Sequence, residues 1–238
     1  RASGNARAAD GRYVAMTETV PVAVAAGTVH LPLLRDDAAD PRAVTVVAHG
    51  AGAGPDHPFL AGYARSCAAA GVAVVRFPFP YVVAGRRLPG AAADAVAAWP
   101  GVLEFVAETH PGLPVIAAGK SYGGRMASMA AAAGSIDPAL LVYLGYPLHA
   151  PGRPDRPRAE HLPDVRAPQL FVSGTRDPFV EPVSDLEAVV ASSPDAELIW
   201  VDGGRHSFEV AGRRRDADEI GAEIAGLVVP WCLRRLAA

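Results

Sequence analysis

Short apolar runs alternating with longer helical stretches predict an α/β protein, with a mostly parallel sheet and helices on both of its faces. Three observations support this. Residues 43–48 form a nearly continuous apolar run, the pattern of a strand buried on both sides. Runs of the same kind recur at 72–77, 114–118, 139–145, 169–173 and 197–201, with helix-length segments between most of them. The whole chain has 238 residues, half of them hydrophobic, enough for one large domain with a sizeable core.

Residues 1–15 are small and polar with no apolar signal-peptide core, and read as a disordered extension ahead of a single domain at 16–238. Met16 is a candidate natural start. Residues 20–24 and 28–33 flank Gly27 and predict an antiparallel hairpin. A helix is expected at 59–70 and a long one at 91–109, with a possible break at Pro100-Gly101. The alanine-rich stretch 125–133 follows the strand 114–118 as a helix. After 139–145 the chain turns to Pro, Arg and Asp as far as residue 167, a loop long enough to be either functional or mobile. It is too short for a large cap domain, so an open site is expected. A helix at 183–191 precedes the last strand. In 216–236, Ile220, Ile224, Leu227 and Trp231 fall on one helical face, with Pro230 expected to kink or end the helix.

The net charge is −3, and the scattered arginines form no basic stripe, which argues against nucleic-acid binding. No run approaches the roughly 18 apolar residues of a membrane span. Cys67 and Cys232 lie far apart in apolar helical patterns and read as buried free thiols, which points to the cytoplasm. No CxxC offers a zinc site.

Chemistry enters at Gly119-Lys120-Ser121-Tyr122-Gly123, a serine between two glycines where a strand meets a helix. That is the form of a nucleophile elbow, a turn so tight that its neighbours must be the smallest residues. A serine hydroxyl needs a base, and the base needs an orienting acid. In the α/β-hydrolases, whose serine turn this run resembles, the acid and then the histidine follow the serine in the chain. His30, His49, His57 and His110 precede Ser121, and His149 and His161 precede the strand that would deliver the acid. His206 alone follows the last strand. Asp177, just beyond the strand 169–173, is the candidate acid, and Asp202 is its rival. The glycine-rich run His49-Gly-Ala-Gly-Ala-Gly54 suits an oxyanion hole, with the N–H groups of Ala51 and Tyr122 as donors and Gly52 as the alternative to Ala51. It lacks the Lys-Ser/Thr of a phosphate-binding loop. The sequence calls for no cofactor and no metal, and its partner is a small-molecule acyl substrate.

These motifs, with Asp56-His57-Pro58, Ser173-Gly-Thr-Arg-Asp177 and Arg205-His-Ser-Phe208, resemble small α/β-hydrolase-fold proteins from about residue 20 onward. The resemblance is to a branch of predicted hydrolases near the dienelactone hydrolases. That branch includes testis-expressed hydrolase-like proteins and a scaffold subunit of a histone-acetyltransferase complex. It implies a serine hydrolase cleaving ester or related acyl bonds; the alternatives are a thioesterase, peptidase or lactone hydrolase, or a non-catalytic scaffold. Three side questions stay open. Phe77-Pro-Phe-Pro-Tyr81 could wall a pocket or brace the elbow helix. His57 could line the entrance or open a helix. Arg205 could oppose protonation of His206 or meet an anionic substrate. Asp177 is expected to lift the His206 pKa above about 6.5.

Overall fold

The computed structural model describes residues 18–237. The expected extension at 1–15 and Met16 lie outside them. The hairpin forms as β1 (Thr19–Val24) and β2 (Gly27–Pro32), turning at Gly27 with φ 119°. It stands apart as its own two-stranded sheet.

The main sheet has seven strands: β3 (Leu34–Asp36), β4 (Ala43–Ala48), β5 (Val72–Phe77), β6 (Val115–Lys120), β7 (Leu140–Leu144), β8 (Gln169–Gly174) and β9 (Ala196–Val201). Their spatial order is β3-β5-β4-β6-β7-β8-β9. Every pairing is parallel except β3 against β5. Strand β3 is too short and polar to be seen in the sequence. It is tied down by Asp36, which accepts hydrogen bonds from the buried Arg76 guanidinium at 2.8 and 3.2 Å.

Side chains alternate across the sheet as a period of two requires. Val44, Val46 and Ala48 enter one core, and Ala43 and Val47 the other. The first core is covered by α3 (Ala92–Thr109), α4 (Tyr122–Ala132) and α5 (Val183–Ser192), the second by α1 (Pro58–Ala69) and α6 (Ala217–Leu236). A one-turn helix, α2 (Pro80–Val83), follows β5.

Neither proline ends its helix. Helix α3 runs unbroken through Pro100, and α6 runs through Pro230 to Leu236. A proline forfeits one intrahelical hydrogen bond, and in α6 the burial of Ile220, Ile224, Val228, Val229 and Trp231 outweighs that loss. The apolar face is also rotated from the expected one. Leu227 is 41% exposed, and Val228 is buried in its place.

Helices α1 and α6 touch backbone to backbone. A Cβ on Gly62 would lie 2.0 Å from the Asp218 carbonyl oxygen, and one on Gly221 would lie 2.0 Å from that of Phe59. The segment between β7 and β8 holds only one 3-10 turn, Leu162–Asp164, so no cap domain covers the C-terminal edge of the sheet. Nor is this segment loose, because Leu148, Leu162 and Val165 are buried in the core.

Candidate active site

The parallel strands of an open α/β sheet gather functional groups beyond their carboxyl ends. Here the loops after β4, β6, β8 and β9 meet at that edge.

Ser121 sits between β6 and α4 at φ 49° and ψ −114°, a conformation that side-chain-bearing residues rarely adopt. Its N–H donates to the Leu144 carbonyl at 3.0 Å, and its own carbonyl accepts from Arg125 N–H at 3.1 Å. The flanking glycines are required by contact. A Cβ on Gly119 would fall 2.2 Å from Gly124 N, and one on Gly123 would fall 2.6 Å from the Ala48 carbonyl oxygen. The elbow therefore lets α4 press against the end of β4 and projects the hydroxyl outward.

The structure brings Ser121, His206 and Asp177 into one chain of hydrogen bonds. Ser121 Oγ lies 2.8 Å from His206 Nε2, and His206 Nδ1 lies 2.8 Å from Asp177 Oδ2. The other Asp177 oxygen accepts from Phe179 N–H at 2.9 Å, and the carboxylate is buried. Gly174 makes the approach possible. A Cβ there would lie 2.1 Å from the Gly204 carbonyl oxygen, so the loop carrying His206 crosses directly over the end of β8. Asp202 points elsewhere, accepting from Thr175 Oγ1 at 3.4 Å.

The expected direction of the His206 pKa is corrected. It is lowered, chiefly by burial, which penalises imidazolium more than Asp177 favours it. The opposing cation is Lys120. Arg205 is exposed and is not among the groups that shift His206. The neutral ring can then carry its proton on Nδ1 toward Asp177 and leave Nε2 to accept one from Ser121.

The N–H groups of Ala51 and Tyr122 meet no acceptor among the described residues and are free for a ligand oxygen. Gly52, the alternative donor, lies in the same loop at φ 77° and also lines the cavity. The glycine-rich loop is pinned by His49, which is buried. Its Nδ1 donates to the Gly50 carbonyl at 2.8 Å and its Nε2 accepts from Phe79 N–H at 3.0 Å. This decides the role of the aromatic run 77–81. Phe77 and Phe79 are buried, Phe79 packs edge-on against Tyr122 at 5.4 Å, and the run braces the elbow without lining the cavity. His57 has both of the roles considered for it. It caps α1 through Phe59 N–H at 3.3 Å, and it also lines the cavity.

Sequence reasoning missed several residues here. Lys120, the only lysine in the chain, donates from Nζ to the His206 carbonyl at 2.7 Å and sits 5.5 Å from the Phe208 ring centre. Burial lowers its pKa to about 8. A lysine at the end of a buried strand was the available signal. Phe179 stacks on the His206 ring at 4.1 Å, which no sequence pattern announced. Arg125 and Arg158 also line the cavity, whose volume is about 590 Å³.

A family model described as an alpha/beta hydrolase domain matches residues 41–226. Among solved structures, dienelactone hydrolase from Anabaena variabilis superposes with a TM-score of 0.71 at 21% identity, over 92% of this chain and 97% of its own. A serine hydrolase without a lid from Xanthomonas campestris gives 0.68 at 20% identity, over 90% and 94%. An alpha-beta serine hydrolase homologue from Coxiella burnetii gives 0.70 at 20% identity, over 92% and 99%. At such identities the likeness is one of fold.

Proposed function

Since the chain belongs to the alpha/beta hydrolase domain family, whose model spans residues 41–226 of its 238, we propose that it is a serine hydrolase cleaving ester bonds. The observation that carries this reading is the unbroken chain from Ser121 through His206 to Asp177, both links 2.8 Å.

In this mechanism Ser121 Oγ attacks the substrate carbonyl while His206 Nε2 takes the hydroxyl proton. Asp177 stabilises the imidazolium and holds its tautomer. The Ala51 and Tyr122 N–H groups bind the oxyanion. The imidazolium returns its proton to the departing alcohol, which leaves an acyl-serine. Water, deprotonated by the same histidine, then releases the acid. The open edge of the sheet and the modest cavity favour small acyl groups. Thioesters and lactones present the same carbonyl and belong among the substrates tested.

A non-catalytic scaffold is the other reading that the resemblance to a chromatin-complex subunit carries. It would require neither the backbone strain at Ser121 nor a buried acid aligned on a histidine. Cys67 and Cys232 are both free and buried, which supports a reducing compartment such as the cytoplasm. Among the described residues no helix is long and apolar enough to cross a membrane.

Labelling with a fluorophosphonate probe, followed by an ester panel of graded acyl length, tests the reading. Labelling at Ser121 and turnover of short esters are expected. A protein that does neither is not a serine hydrolase.

The pH profile gives a second prediction. Activity rises as His206 loses its proton, with a midpoint below 6.5, because its pKa is lowered from that value. Lys120→Met removes a repelling charge beside the imidazolium, so the midpoint should move upward. A variant profile superimposable on the parent's would show that Lys120 does not act on His206.

A further inference from the structure

Two arginines in the wall of the Ser121 cavity have no acid to pair with. Arg35, Arg65, Arg76, Arg153, Arg156, Arg213, Arg215, Arg234 and Arg235 all form ion pairs. The other described arginines outside the cavity are exposed to water. Arg125 and Arg158 alone are half-buried without an ion pair among the described residues. Arg125 Nε is buried and makes no hydrogen bond. An Nε–H withdrawn from water and left without an acceptor is unfavourable, and an anion paired with the same guanidinium would offset that cost.

The two side chains come from different elements and line one cavity. Arg125 lies in the first turn of α4, its N–H bonded to the Ser121 carbonyl at 3.1 Å, and it lines the same cavity as the serine. Arg158 belongs to the segment between β7 and β8. That segment is pinned where Arg158 N–H donates to the Leu148 carbonyl at 2.6 Å and the Arg158 carbonyl accepts from Tyr146 Oη at 2.7 Å. Both guanidinium groups are close enough to the Tyr146 hydroxyl to oppose the upward push of burial on its pKa. The neighbouring acids do not neutralise them. Asp94, Glu160 and Glu209 form no ion pair with either arginine, and Glu209 acts on Lys120 and His206.

Building on the hydrolase reading, we propose that Arg125 and Arg158 form a carboxylate-binding subsite, so that the preferred substrates are short acyl esters bearing a free carboxylate. The planar fork of a guanidinium matches a carboxylate in a bidentate pair, and two forks on one wall can hold both oxygens. Because both arginines line the cavity that holds Ser121, a short dicarboxylic hemi-ester anchored there by its far end presents its near carbonyl to the serine.

The test compares three matched pairs: monoethyl succinate with ethyl butyrate, monoethyl glutarate with ethyl valerate, and 4-acetoxybutanoate with butyl acetate. The first two pairs put the carboxylate on the acyl side and the third puts it on the leaving group. At least one carboxylate ester should exceed its neutral partner in kcat/KM by roughly tenfold to hundredfold, mainly through KM, and added salt should erode the difference. In Arg125→Gln and Arg158→Gln the ratio within a pair should collapse toward one, a readout that partial misfolding does not mimic. Arg158→Lys should restore part of it. Separately, glutarate binding to Ser121→Ala, measured by calorimetry, should require both arginines. Turnover of neutral esters with no carboxylate preference, or a preference that survives both Gln variants, overturns the subsite. If no ester is turned over but glutarate binding still depends on both arginines, the hydrolase reading falls and the subsite stands.

Discussion

Replacing Ser121 by alanine will leave a folded protein that neither hydrolyses esters nor takes a fluorophosphonate label. The fold should survive because the hydroxyl's one protein partner is His206, and the backbone strain at φ 49° falls equally on alanine. Turnover should drop by roughly 10³–10⁶, since in the proposed mechanism the nucleophile acts as a unit with its base and acid. On the proposed mechanism, residual turnover would come from the Ala51 and Tyr122 N–H groups and substrate binding. Circular dichroism and thermal melting of the variant should match the parent. If the alanine variant still labelled, the nucleophile would lie elsewhere.

The second large effect concerns stability and lies far from the chemistry. Gly221→Ala should cost about 3 kcal/mol or more, because the new Cβ would meet the Phe59 carbonyl oxygen 2.0 Å away and Tyr63 N 2.8 Å away. Both are backbone atoms of α1, so no side-chain rotation relieves the clash, and the two helices must separate. For a protein of this size that corresponds to a fall of roughly 6–12 °C in Tm. Gly62→Ala should behave alike, since its Cβ would meet the Asp218 carbonyl oxygen from the other side. Gly226→Ala is the control. It lies on the same helix with nothing within 4 Å of its Cβ, and gaining alanine's helix propensity should leave the protein at least as stable. A Gly221→Ala protein melting with the parent would mean that the contact between α1 and α6 is looser than described.

Much of the site was readable because its parts are local devices. The elbow is a turn whose glycines are demanded within five residues. Asp177 and His206 were picked out by their places after successive strands, and they stand where that order puts them. The direction of the His206 pKa was not readable, because it depends on how deeply the ring is buried and on a lysine 86 residues away in the chain. The role of Phe77, Phe79 and Tyr81 was undecidable for the same reason. A strand-end aromatic looks alike in sequence whether it faces a ligand or a histidine such as His49.

By itself the sequence determined most of the strands and the longer helices, the alternation that makes the sheet parallel, and the tight serine turn. All of these are preferences of backbone and side chain over a few neighbouring residues. The tertiary structure alone decided that α6 continues through Pro230, that β3 closes one edge of the sheet, and that Lys120 reaches across to the His206 loop. It alone decided that two arginines face the cavity without an acid. Burial and charge pairing are set by groups that folding brings together from distant parts of the chain, so no local pattern can carry them.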